Sequence, residues 1–185
     1  MFTILVANQK GGVGKTTIAD ELSFELERRG RSVSFMTVDP QGGSIHEADE
    51  DGEERDYRVV DTPGVLADAL PEWCDAADMV LVPMLPSSRD LEPTLRTIEV
   101  ARKATDAPVR VVVNQYNPYG ILDRQLAEYL ESEGLRVIGK VPKAVALAQA
   151  AAQGCSVSEL RNGRHALTAF ERLADEIETI NQEME

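Results

Sequence analysis

The 185-residue sequence predicts an α/β fold: a mostly parallel, twisted sheet with helices on both faces, in a single domain over residues 1–185. Three observations predict it. Short apolar runs alternate with segments of helical periodicity along the chain. The first run leads directly into a glycine-rich turn, NQKGGVGKTT. A later run, YRVVD, stays apolar until it ends in an aspartate and the turn TPG.

The elements follow in order. Residues 2–8, FTILVAN, form an apolar run that suits a strand buried on both faces. Residues 15–29 place Ile18, Leu22 and Leu26 on one helical face, and Gly30 stops the helix. Strands are expected at 32–38 and 57–61, with a polar connection over 43–56 between them. Then come a helix over 65–77, a strand over 78–84 and a helix over 88–104. A strand at 109–114, a helix at 121–133 and a strand at 136–141 continue the alternation, and helices at 144–153 and 164–182 complete it. Parallel strands joined in this way call for right-handed crossovers.

Composition narrows the function classes. The net charge of −13 argues against a chain that is basic throughout, so any nucleic-acid contact needs a local patch. The acids gather in HEADEDGEERD, 46–56, and in DEIETINQEME at the end, both expected to be solvated. No apolar run approaches the ~18 residues of a membrane span. The start, MFTILVANQ, has no basic leader and reads as a strand rather than a signal peptide. Cys74 and Cys155 stand far apart without a C-x-x-C, which fits a reducing cytoplasm and offers no metal or iron–sulfur framework. His46 and His165 are isolated and are assigned surface or loop positions.

The glycine turn carries the chemistry. A strand, a glycine-rich turn and a helix are the context of a phosphate loop. Gly11, Gly12 and Gly14 let backbone N–H groups, that of Val13 included, converge on phosphate oxygens with no Cβ in the way. The helix N-terminus adds partial positive charge. Lys15 is expected on the β/γ-phosphates, the Thr16 hydroxyl on Mg²⁺ and Thr17 on the α-phosphate of ATP or ADP. The usual pattern G-x-x-x-x-G-K-S/T wants glycine where this chain has Gln9, so the loop is a deviant Walker A and the fold a P-loop NTPase of that class. Asp61, ending its strand, is positioned to hold Mg²⁺ through a water. Gly64 can offer its N–H to a γ-phosphate. Asp39, in VDPQGG, either orients the attacking water near the metal or simply initiates an Asp-Pro turn.

One lysine suffices for a phosphate cradle, and this turn has a second, Lys10. KGGVGKTT, DPQGG and VVDTPG, in that order and spacing, resemble the ParA/MinD group of deviant Walker-A ATPases. The likeness runs nearly the whole chain, through ADMVLVPMLPSSRDL and VPKAVALAQAAAQGCSVSEL. With no expected N-terminal DNA-binding domain, the chain is most similar to small ParA proteins of the ParF type. The resemblance implies that Lys10 reaches across a homodimer, formed with ATP, to the neighbour's phosphates. It implies that Asp39 is the switch I aspartate needed for hydrolysis and Asp61 the Walker-B acid. It brings Asn114 to adenine, or leaves it a strand-end turn residue, and places Pro142 by the base pocket. Three departures stand out: Thr37 replaces a frequent second acid, the segment between DPQGG and VVDTPG is short and acidic, and the overall acidity is unusual for a DNA binder.

The resemblance therefore implies an ATP-dependent, Mg²⁺-requiring switch for plasmid or chromosome partition, acting on the nucleoid in the cytoplasm. Its expected partners are non-specific DNA and a centromere-binding or adaptor protein that stimulates hydrolysis. Lys140, Lys143, Arg161 and Arg164, with Arg172, lie in a late segment poor in acids and form the candidate DNA patch, or are scattered solvated charge. Alternatives are the same switch moving another cargo, such as a microcompartment or chemoreceptor cluster, and a MinD-like membrane ATPase. The acidic tail lacks the basic amphipathic face that membrane binding requires, so no membrane is expected. VNQYN is not the N-K-x-D that reads guanine, which disfavours a GTPase.

Overall fold

A computed structural model of the chain describes residues 1–37, 43–48, 55–64 and 68–184. Its strands are β1 (Phe2–Val6), β2 (Val33–Thr37), β3 (Tyr57–Asp61), β4 (Met79–Met84), β5 (Val109–Tyr116) and β6 (Val137–Pro142). They form one six-stranded sheet in the order β2-β3-β1-β4-β5-β6. Every pairing is parallel. The chain steps from β1 out to β2, returns through β3, then resumes at β4 on the other side of β1. The direction of winding thus reverses at β1, and a crevice opens at its C-terminal end, where open parallel sheets bind ligands.

Parallel neighbours need long crossovers. The helices are α1 (Lys15–Arg28), α2 (Leu70–Asp75), α3 (Ser88–Ala104), α4 (Ile121–Ser132), α5 (Val145–Gln153) and α6 (Arg164–Met184). A single 3-10 turn, Val157–Glu159, lies between α5 and α6. Alternate strand residues serve opposite faces. Ile4, Val6, Val59, Leu81 and Val112 pack with Ile18 and Leu22 of α1 and with Phe170 and Leu173 of α6. Leu5, Val60, Val82, Val111 and Val113 pack with Cys74 of α2, Ile98 of α3 and Leu130 of α4. Both faces are covered, which is why these strands read as continuous apolar runs.

The structure departs from the sequence expectation in three places. The helix expected over 65–77 is described only as Leu70–Asp75, because Pro71 sits at its N-terminus, where a missing N–H and a fixed φ favour the first turn; residues 65–67 lie outside the described residues. β5 runs two residues past Asn114 through a register shift, with Gln115 at φ 54°. His46, expected on the surface of a solvated connection, is folded in: its side chain is only 12% exposed.

Charge fixes α1 to α6. Glu25 is buried and accepts from Arg28 and Arg29. Arg29 also donates to Asp175 at 2.7 Å, Glu178 at 2.8 Å and the Glu171 carbonyl at 2.6 Å. Arg29→Met takes one of two arginines from the buried Glu25 and removes the ties to Asp175 and Glu178, while Arg28 still joins Glu25 to Glu171, so stability is expected to fall by about 2 kcal/mol. A urea melt checks this; an unchanged midpoint contradicts it.

Candidate functional site

β1 ends at Val6 and α1 begins at Lys15, so residues 7–14 must reverse the chain at the sheet's C-terminal edge. Two buried amides hold that reversal. Asn8 donates from Nδ2 to the Pro83 carbonyl at 2.7 Å and to Thr94 Oγ1 at 3.0 Å, and its Oδ1 accepts from Lys10 N at 2.9 Å. Gln9 N donates to Thr97 Oγ1 at 3.1 Å. The turn is thereby pinned to the end of β4 and to α3. Asn114, near the end of β5, donates from Nδ2 to the Val13 carbonyl at 2.9 Å. With that carbonyl engaged, its oxygen is withheld from any anion in the turn.

Glycine is required where the turn bends hardest. Gly12 and Gly14 have φ of 77° and 91°, in the left-handed region. A Cβ on Gly14 would also fall 2.1 Å from Asn114 Nδ2. Gly14 offers α1 no side-chain cap, so the helix's first N–H groups remain for an anion.

Around this turn stand the charged groups. Lys15 is 7% exposed, and its Nζ donates to the Lys10 carbonyl at 3.3 Å. Thr16 Oγ1 donates to Asp61 Oδ2 at 2.7 Å, and Asp61 is fully buried. A hydroxyl beside a carboxylate is the hard-oxygen pair that suits Mg²⁺, which keeps most of its waters, so these residues fit that ion. Gly64 abuts the turn: a Cβ on it would lie 3.2 Å from Gly11 Cα and 3.7 Å from Lys15 Nζ. A cleft of about 720 Å³ opens beside the turn, lined by Gly12, Gly14, Thr17, Asn114, Pro142 and Ala148. Its size and its apolar far wall suit a nucleoside whose phosphates enter the turn.

The two lysines sit differently. Lys10 is 43% exposed along its side chain, with Nζ 4.0 Å from Oδ1 of the buried Asp90 at the start of α3. Asp39 lies outside the described residues. Thr37, the last residue of β2, is in register with Asp61.

The structure does not gather all the candidate DNA residues. Lys140 lies over the Tyr116 ring at 5.4 Å and shares a groove of about 460 Å³ with His165 and Arg172. Lys143 lines the cleft beside the turn instead. Arg161 and Arg164 are exposed at the turn leading into α6 and line neither. Asn8, Thr94, Thr97 and Asp90 were not singled out in the sequence. The threonines at helical spacing i, i+3 were a signal, but only the fold shows what they face.

The chain belongs to the CobQ/CobB/MinD/ParA nucleotide-binding domain family, whose model matches residues 4–157. It is 30% identical over 208 aligned residues to maintenance of carboxysome distribution protein A of Halothiobacillus neapolitanus, covering 95% of this chain and 96% of that one. It is 26% identical to the chromosome-partitioning ATPase Soj of Thermus thermophilus, covering 94% of each. A putative plasmid partition protein of Borrelia burgdorferi, solved bound to AMPPNP, has the same fold at TM-score 0.80 and 16% identity, over 96% of this chain and 98% of that one.

Asn114→Ala removes the brace on Val13 without touching a charge. ATP and ADP binding are expected to weaken alike, by roughly tenfold each, as one hydrogen bond to the turn is lost. Isothermal titration with each nucleotide measures this. A loss confined to ATP contradicts a bracing role.

Proposed function

We propose that the protein is an Mg²⁺-dependent ATPase that dimerises with ATP and uses the dimer as a positioning switch on DNA. The observation that carries this reading is the unequal placing of two lysines on one phosphate turn. Lys15 is buried beside the turn, while Lys10 is half exposed and only loosely held by Asp90. Two triphosphates facing each other concentrate negative charge, and a cation lent by each subunit offsets it. A lysine free to leave Asp90 supplies that cation. Such a dimer forms with ATP because it binds the triphosphate state preferentially.

The roles follow from position. The turn's N–H groups and the α1 N-terminus bind the phosphates. Lys15 stabilises charge on its own nucleotide and Lys10 on the partner's. Thr16 and Asp61 would hold Mg²⁺, which supplies positive charge against the phosphate oxygens. Gly64, close against the turn, offers its N–H to the γ-phosphate. Asp39 orients the water whose oxygen attacks the γ-phosphorus in line, with ADP departing on the far side. Asn114 and Pro142 flank the base.

Lys140, Lys143, Arg161 and Arg164 would meet DNA phosphates, and a dimer doubles the patch, so affinity depends on ATP. A centromere-binding or adaptor protein would stimulate hydrolysis and release the dimer. DNA partition is the first reading of the cargo. A protein microcompartment is the second, favoured by the 30% identity to the carboxysome-distribution relative. Action away from a membrane surface is supported by the last helix. The apolar face of α6, with Phe170, Leu173, Ile177 and Ile180, is used in the core.

Sizing in solution tests the proposal: a 20.3 kDa monomer with ADP should become a dimer with AMPPNP. Identical sizes defeat it. Lys10→Ala is expected to keep nucleotide affinity within about threefold yet lose the dimer and its stimulated hydrolysis; normal dimerisation of this variant refutes the role of Lys10. Arg161→Ala with Arg164→Ala is expected to weaken ATP-dependent DNA binding and flatten its salt dependence by up to about four phosphate contacts per dimer, two from each subunit. An unchanged salt slope removes these residues from the DNA surface.

A further inference from the structure

Asp20 is a buried carboxylate on α1, one turn after Thr16 and on the same helical face. Its bonds come from the far end of the β2–β3 connection. Ile45 N donates to both its oxygens at 3.0 Å, His46 N donates at 3.1 Å, and His46 Nδ1 lies 2.9 Å from Oδ1. The imidazole is stacked on Phe35 of β2 with centroids 5.1 Å apart, and lies against Phe24 of α1 at 4.1 Å. Its Nε2 faces Glu27 Oε2 at 3.5 Å. The Ser44 hydroxyl closes the strap on itself by donating to the His46 carbonyl at 3.1 Å.

A ring bonded to Asp20 through Nδ1, with its buried Nε2 turned toward Glu27 and an aromatic ring against each of two sides, is an anchor rather than an incidental loop contact. It grips the connection that carries Asp39 and ties it to the helix that begins at the phosphate turn. We infer that His46 is a positioning residue: clasped by Asp20, Glu27, Phe24 and Phe35, it fixes the foot of the switch I connection on α1, and the clasp opens when the ring loses a proton. The link to Asp39 rests on the function proposed above; the clasp itself does not.

The sign follows from the geometry. A neutral ring can donate to Asp20 from Nδ1, but then turns a lone pair on Nε2 toward the Glu27 carboxylate. The cation satisfies both. Burial opposes the charge, but the Asp20 hydrogen bond and the fields of Glu27 and Asp20 outweigh it, and the ring's pKa rises above the ordinary 6.5. Among the described residues, the charged groups about the ring are Asp20, Glu27 and the buried Glu21 of α1, whose carboxylate feels the ring's charge, and, on the strap itself, the exposed Glu47; β2 contributes Phe35. The clasp is therefore complete below about pH 6.5 and is lost as pH climbs through the raised value.

The test begins with the full chain and no nucleotide. Amide exchange at Ile45 and His46 is followed from about pH 6 to about pH 9, corrected for its intrinsic pH dependence. Protection is expected to fall roughly tenfold in the wild type across that range. It should be weak at every pH in Asp20→Asn, and His46→Gln, which keeps a donor but no charge, should lose the pH dependence. Flat wild-type protection, or a wild-type profile in His46→Gln, overturns the clasp. With ATP, the wild-type kcat should fall over the same interval while KM holds, and the His46→Gln profile should be flat; identical kcat profiles overturn the positioning role. A wild type that hydrolyses no ATP at any pH counts against the proposed function, and the nucleotide-free exchange still decides the clasp.

Discussion

Two buried asparagine amides, Asn8 and Asn114, hold the phosphate turn open, and the rest of the site depends on them. A backbone that must aim N–H groups at a polyanion cannot close into ordinary turns, because those consume the same donors. Asn8 ties the start of the turn to β4 and α3, and Asn114 draws the Val13 carbonyl toward β5. The left-handed glycines between them leave no other route for the chain. The geometry an anion needs is thus set by neutral groups packed into the core, before any charge arrives. Such preorganisation lowers the reorganisation cost of binding.

Several charged groups are arranged about the helix that leaves this turn. α1 carries Lys15 and Thr16 on its first turn, Asp20 one turn on, Glu21 beneath the 3-10 turn and Glu25 against the arginines that reach α6. One rigid rod thus collects the phosphate turn, the Asp61 strand end, the strap at 43–48 and the last helix. The switch proposed for this protein would need such a shared element, contacted by each of these sites. Lys10 is the exception. It stands outside the rod, with its charge near Asp90 at an exposed edge, where a second subunit can approach.

The sheet was legible because its strands are buried on both faces and so appear as unbroken apolar runs. The phosphate turn was legible because three glycines, a lysine and two hydroxyls at fixed spacing answer one chemical need. What the sequence hid were bonds between distant residues. Nothing near Asn8 announces Thr94, and nothing near Asn114 announces Val13, 101 positions away. His46 looked like part of a solvated acidic stretch, since only the fold shows that Asp20 and two phenylalanines stand ready to enclose it. The α2 region looked like a longer helix because apolar spacing continues across Pro71, whose ring dictates where the helix starts. The candidate DNA residues are neighbours in the sequence, whereas the fold assigns Lys140 and Lys143 to different hollows.

In the proposed dimer Lys10 changes partner when ATP is bound, leaving Asp90 for the neighbour's phosphates. A crystal structure of the Asp39→Ala protein with Mg²⁺ and ATP measures this directly. A two-fold dimer is expected, in which each Lys10 Nζ lies about 3 Å from a phosphate oxygen held by the other subunit. A Lys10 that remains beside Asp90, or turns to the nucleotide of its own chain, would contradict it.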